Sequence, residues 1–190
     1  MYNNGAVDDS GSDSLDEPIE VVPHDLGWIE DARRAADQLR AVVGHLASGV
    51  EHIGSTAVPG LAAKPIVDLA VAVEPAHREE AVDALQRLGY VDLGEAGVSG
   101  RRYLRWRRSP PAVNVHLMAP GSALWIENLL LRDYLRSHPD AAADYAGAKL
   151  SAASLHPTLL AYSEAKADHV QHLLIAAREW AAGAGSPRSS

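Results

Sequence analysis

Residues 50–73 read VEHIGSTAVPGLAAKPIVDLAVAV, and both the fold and the candidate chemistry turn on them. Val50 to Ile53 is a short apolar run. Ile66 to Val73 is apolar apart from Asp68, the pattern of a strand buried on both faces of a sheet. A lone carboxylate inside such a strand is costly unless it has partners or a task. Between the two runs, Gly54, Ser55 and Thr56 offer a backbone free to approach a ligand and two hydroxyls. Pro59-Gly60 makes a turn, and Lys64 supplies a point charge. These are the residue types that hold a phosphate. The stretch is not a P-loop, because Gly60 is followed by Leu61 where that signature needs Lys and then Ser or Thr.

A Gly-Ser pair closing one strand, with an acid inside the next, resembles the opening of the nucleotidyltransferase fold of the polymerase-beta superfamily. Within it, HIGSTAVPGLAAKPIVDL (52–69) resembles the signature of the GrpB family of predicted nucleotidyltransferases, a domain also found fused to dephospho-CoA kinases. The resemblance continues through Arg102-Tyr103, NVHLM (114–118), LRDYLRSHP (131–139) and the pattern Tyr145, Lys149, Tyr162, Lys166, and spans roughly residues 20 to 180. It implies an α/β fold: a nucleotidyltransferase-like mixed β-sheet with flanking helices and a C-terminal helical bundle. The implied activity is transfer of a nucleoside monophosphate to a small acceptor. Two alternatives stand beside it: a non-catalytic nucleotide- or metabolite-sensing or partner-stabilising domain, and amide or ester formation in the same pocket.

Composition narrows the field. The chain has 190 residues, 47% of them apolar, enough for one domain with a sizeable core. Its formal charge is −8, but residues 1–20 hold six acids and no Lys or Arg, leaving 19 acids against 17 bases in the body. The first 20 residues read as a disordered acidic leader, 21–120 as the α/β core, 121–182 as a helical bundle packed on it and 183–190 as a tail. A body so near neutrality argues against a nucleic-acid partner and leaves a nucleotide or phosphorylated small molecule. With no cysteine, disulfides, thiolate metal sites and cysteine nucleophiles are excluded. No signal peptide or membrane span is visible, so the expected location is cytoplasmic, away from any membrane.

Helical spacing and breakers predict helices over 24–43, 75–88, 123–137, 139–154 and 158–182, with strands at 90–93, 101–108 and 112–118. Gly94 to Gly100 is a hairpin loop or a flap at the site edge. As a strand, RRYLRWRR (101–108) sends Arg101, Tyr103, Arg105 and Arg107 to one side, either as a cationic wall for an anion or as an exposed arginine face.

Nucleotidyl transfer needs Mg²⁺ or Mn²⁺ held by carboxylates, and two acids at i and i+2 on a strand meet that need by sharing a face. Asp68 is the first such acid, but Ala70 occupies the second position. Asn114 or His116 stands where a third would be expected, and Asp68 with His116 suits Mn²⁺ or Zn²⁺ better than Mg²⁺. Glu51 and His52 point in opposite directions, and sequence does not say which faces the site. The catalytic and metal candidates are therefore Asp68 and His116. The phosphate and substrate candidates are Gly54, Ser55, Thr56, Lys64, Arg102, Tyr103, Arg132, Lys149 and Lys166. Only three of the 17 basic residues are lysines, at 64, 149 and 166, each on the family pattern; elsewhere the chain uses arginine. Tyr145/Lys149 and Tyr162/Lys166 share helix faces that either close over a nucleotide or pack in the bundle. His169 and His172 lack a nearby third ligand and read as solvated or hydrogen-bonded.

Overall fold

The computed structural model describes residues 15–184. Five strands form one mixed sheet: β1 (Ala47–Ile53), β2 (Ile66–Val73), β3 (Val91–Asp92), β4 (Arg102–Trp106) and β5 (Ala112–Met118). Their order is β1-β2-β5-β4-β3. Only the central pair β2/β5 is parallel; the remaining pairs are antiparallel. The central position of β2 explains its nearly unbroken apolar sequence, since Leu69, Val71 and Val73 face one layer while Ala70 and Ala72 face another, all nearly inaccessible.

One face of the sheet is covered by α1 (Gly27–Val43) and α2 (Arg78–Leu88). Ala32, Ala36, Leu39 and Val43 of α1 and Leu85 of α2 meet Leu69, Val71, Val115 and Leu117 in the main core. Burying each leucine or valine there contributes roughly 1.5–3 kcal/mol relative to leaving it exposed. The start of α1 falls at Gly27 rather than 24, with the Asp25 carboxylate accepting the Gly27 N–H at 2.8 Å. A 3₁₀ turn at Pro75–His77 precedes α2, which ends on Gly89 at φ 101°, a conformation glycine adopts freely.

The opposite face carries α3 (Ala123–Ser137), α4 (Pro139–Leu155), α5 (Leu159–Ala165) and α6 (Ala167–Ala184). Leu124, Trp125 and Leu129 of α3 pack on Ile53, Ala70 and Met118. Leu135, Ala142, Tyr145 and Leu173 join Val58 and Leu61 of the loop after β1 in a second cluster. Helices α3 and α4 end where His138-Pro139 and His156-Pro157 predict. The helix expected over 158–182 is two helices, broken at Lys166 (φ −103°, ψ 1°), and α6 runs on to Ala184, past the expected start of the tail.

The leader also needs revision. Its residues 1–14 lie outside the described residues, but 15–19 form an ordered strap across the molecule. Glu17 lies against Arg105 and Arg107. The Leu159 N–H donates to the Glu17 carbonyl, the Ile19 N–H to that of Pro157, and the Leu160 N–H to the Asp16 carboxylate, each at 2.9 Å. Composition hides this because Glu17 meets the Arg105 and Arg107 side chains, and Asp16 the Leu160 N–H, rather than water alone. Among the described residues no helix is long and apolar enough to cross a membrane.

Candidate active site: a cationic cavity around Asp68

Strand β1 ends at Gly54, where the chain turns with φ 71° and ψ −170° into a 3₁₀ turn at Ser55–Ala57. The turn brings the backbone against β2: a β-carbon on Gly54 would lie 3.1 Å from the β-carbon of Asp68. Only glycine satisfies both the dihedral and the approach. Gly54, Ser55, Thr56 and Asp68 line one cavity of about 360 Å³, with Lys64, Arg101, Tyr103, Asn114, His116, Tyr145, Tyr162 and Lys166. Ala96 and Val98 of the Gly94–Gly100 hairpin loop also line it, as does Leu15 of the strap.

Strand register assembles the floor. Asp68 pairs with Asn114 across the parallel β2/β5 junction, and His116 pairs with Tyr103 across β5/β4. Asp68 Oδ1 accepts the Asn114 amide N–H at 2.7 Å and lies 3.0 Å from His116 Nε2. Asn114 Oδ1 in turn accepts from Arg107 at 2.8 Å, and Arg107 is gripped by Glu17 at 2.8 Å. A chain of contacts therefore runs from Glu17 through Arg107 and Asn114 to Asp68 and His116, whose ring lies 5.1 Å from that of Tyr103. Burial alone would raise the Asp68 pKa. The His116 hydrogen bond and charge, the Lys64 ammonium and the Asn114 amide overcome it and hold the carboxyl down to about 2. Asp68 is thus ionised at neutral pH and a poor proton acceptor.

The walls are cationic. Burial lowers the Lys64 pKa against the opposing pull of Asp68 and Glu17. Lys166 is pushed down to about 8, by burial first and then by Lys64. Both ammonium groups approach the Tyr162 ring, at 5.9 and 5.3 Å from its centre. Arg101 reaches over the Tyr103 ring at 4.8 Å and donates to the Ala96 carbonyl at 3.0 Å, holding the hairpin loop at the cavity edge.

The GrpB protein family model matches residues 18–175. Among solved structures, GrpB from Enterococcus faecalis is 34% identical, with a TM-score of 0.75 over 85% of this chain and 99% of that one. The chain belongs to the GrpB family. UPF0157 protein PA4798 of Pseudomonas aeruginosa is 36% identical over 86% of this GrpB chain and 69% of its own length. UPF0157 protein YqkA of Bacillus subtilis is 31% identical over 90% of this chain, which spans about half (51%) of YqkA. A dephospho-CoA kinase of Mycolicibacterium paratuberculosis is 34% identical over 71% of this chain and 40% of that protein. A chain of the GLD-2/RNP-8 complex, 16% identical with a TM-score of 0.51 over 69% of this chain and 55% of that one, shares the fold alone. That fold is the nucleotidyltransferase-like mixed sheet the sequence implies.

Of the candidates read from the GrpB pattern, Gly54, Ser55, Thr56, Lys64, Asp68, Tyr103, His116 and Lys166 meet at the cavity, and three others do not. Arg102 points to the opposite face of β4, where it grips Asp92 at 2.8 Å, because alternation puts it with Leu104 rather than Tyr103. Arg132 ties α3 to β1, bonding Glu51 at 2.8 Å and the His52 carbonyl at 3.1 Å. Lys149 is 1% exposed, lies 4.9 Å from the centre of the Tyr145 ring and donates to the Ala62 carbonyl, so it braces the loop from behind. The Thr56 hydroxyl is committed within the fold, 2.9 Å from His52 Nε2. Register answers the Glu51/His52 question: Glu51 pairs with Ala70 on the site face, yet Arg132 takes its carboxylate. His169 stacks on Tyr145 at 5.6 Å. Of the two readings of RRYLRWRR, the cationic wall holds for Arg101, which lines the cavity with Tyr103, whereas Leu15 and Glu17 were missed. Leu15 and Ile19, apolar residues within an acidic stretch, were the available signal.

The donor set does not fit a carboxylate-held divalent ion. Ala70, in the second acid position, is fully buried beneath α3. Among the described residues no three His, Cys, Asp or Glu side chains stand together as a metal site would need. Asp68 Oδ1 already accepts the Asn114 amide, and the contact with His116 Nε2 occupies the nitrogen that would face a shared ion.

Proposed function

We propose that this chain binds a nucleotide or another phosphorylated small molecule in the cavity beneath the Gly54 turn. The observation that carries this reading is the gathering of the chain's three lysines at one place. Lys64 and Lys166 stand in the cavity wall and Lys149 directly behind the loop, in a sequence that otherwise uses arginine. A lysine is a compact charge suited to a phosphate approached from several sides. Lys64, Lys166 and Arg101 take the anionic group, the glycine at 54 lets the ligand approach the backbone, and Tyr103 and Tyr162 offer flat faces to its remainder. A scanning-fluorimetry screen of nucleotides, sugar phosphates and inorganic phosphate tests this. Stabilisation by at least one phosphorylated compound, lost in Lys64→Ala, is expected. No response to any of them, or a response indifferent to Lys64, removes the reading.

Transfer of a nucleoside monophosphate to a small acceptor is a second reading, favoured by the 3.0 Å Asp68–His116 contact at the cavity floor. There the acceptor oxygen attacks the α-phosphorus, its proton passes to His116 and diphosphate leaves. Asp68, which holds protons weakly, orients the imidazole. Release of diphosphate from nucleoside triphosphates in the presence of hydroxyl or amine acceptors, abolished in His116→Gln, is the test. The likeness to part of a dephospho-CoA kinase also suits a third role, a ligand-sensing module acting beside another enzyme.

A further inference from the structure

Three cations, Lys64, Arg101 and Lys166, line the cavity, and Asp68 is the one carboxylate among its described lining residues. The excess of two positive charges matches the two negative charges of a phosphate monoester. Nothing on the floor adds carboxylates. The position two residues beyond Asp68 is an alanine under Trp125 and Leu129, and the Glu17 carboxylate is held by Nη2 and Nε of Arg107 at 2.8 and 3.0 Å. A divalent ion entering here would find a single carboxylate, its Oδ1 already engaged by Asn114 and His116, and three repelling side chains.

We infer that the cavity holds its phosphorylated ligand without a divalent cation, as a dianion neutralised by Lys64, Lys166 and Arg101. The inference rests on the ligand-binding reading above and goes further, since the nucleotidyltransferase-like fold leads one to expect a metal-bridged phosphate. Lys64 and Lys166 enter from separate parts of the chain, the loop before β2 and the break between α5 and α6, so the phosphate also ties helices to sheet. Arg101 adds the hairpin loop. A phosphate bridging these elements does what a metal ion does when it clamps phosphate oxygens to two strands.

Titration calorimetry of the full chain tests this with inorganic phosphate and adenosine monophosphate as probes, in EDTA, in Mg²⁺ and in Mn²⁺. Mn²⁺ alone is titrated separately. The expected result is binding of a phosphate probe in EDTA, unchanged within about twofold by either metal, and weakened tenfold or more in Lys166→Gln. A twofold difference corresponds to about 0.4 kcal/mol. Mn²⁺ alone should give no heat of binding that Asp68→Asn removes. Binding that appears only with metal, or tightens tenfold with it, overturns the inference while leaving the ligand-binding reading intact. Failure of both probes in every condition, together with a blank fluorimetry screen, overturns both. Circular dichroism of Lys166→Gln separates loss of a cation from loss of the fold.

Discussion

Oδ2 of Asp68 and the α-carbon of Gly54 stand so close that a β-carbon added to the glycine would lie 2.8 Å from that oxygen. The turn and the carboxylate therefore constrain each other. Gly54→Ala meets a dihedral pair that only glycine occupies comfortably and a contact shorter than packing allows, and should cost roughly 1–3 kcal/mol. Chemical denaturation measures the loss, and phosphate binding should weaken with it because Asp68 must shift. An alanine variant as stable as the parent would mean that the turn relaxes freely.

Ala70→Asp recreates the carboxylate pair that the fold class leads one to expect, and it should fail to restore a metal site. The side chain would enter the cluster of Ile53, Met118 and the apolar face of α3. An uncompensated buried charge costs on the order of 3–5 kcal/mol. A lowered denaturation midpoint with no gain in Mn²⁺ affinity is the expected outcome. A stable variant that binds Mn²⁺ would show that α3 yields and that the position is open to an acid.

Stability should rise with pH on the alkaline side of neutrality. Burial, then the charges of Lys166 and Lys64, push the Lys149 pKa down to about 7, against 10.5 for the free side chain. Lys166 stands at about 8. Above these values the folded lysines have released protons that the unfolded chain still binds, so unfolding takes up protons and becomes less favourable as pH increases. The effect begins near pH 7 and is complete once the unfolded lysines also titrate. Urea midpoints between pH 6.5 and 9.5 (chosen to span roughly that window) measure the slope, and Lys149→Met should flatten it. Parallel curves for parent and variant would place the relevant protons elsewhere.

Much of the fold was legible. The near-continuous apolar run around Asp68 announced a central strand, and the two His-Pro pairs ended α3 and α4 where expected. Within RRYLRWRR, alternation separated Arg101 and Tyr103 from Arg102 correctly, while family likeness put Arg102 with the binders. Pairing with Leu117 rather than His116 is what removes it from the site, and such a register depends on the neighbouring strand. The break at Lys166 left no trace because neither proline nor glycine marks it. What separates the helices is packing, α6 against α3 and α5 against the cavity. Glu17 was hidden for a related reason, since an acid paired with arginines of the sheet region and an acid in a solvated tail look alike by composition.

The segment from Leu15 to Ile19 works as a staple between sheet and helices, and this matters for anyone shortening the protein. Trimming to residue 20, the cut that composition invites, strips the carboxylate from the Arg105/Arg107 pair, takes the cap from the first turn of α5 and unroofs one side of the cavity. Tags and fusion partners at that end need a spacer long enough to let the staple seat.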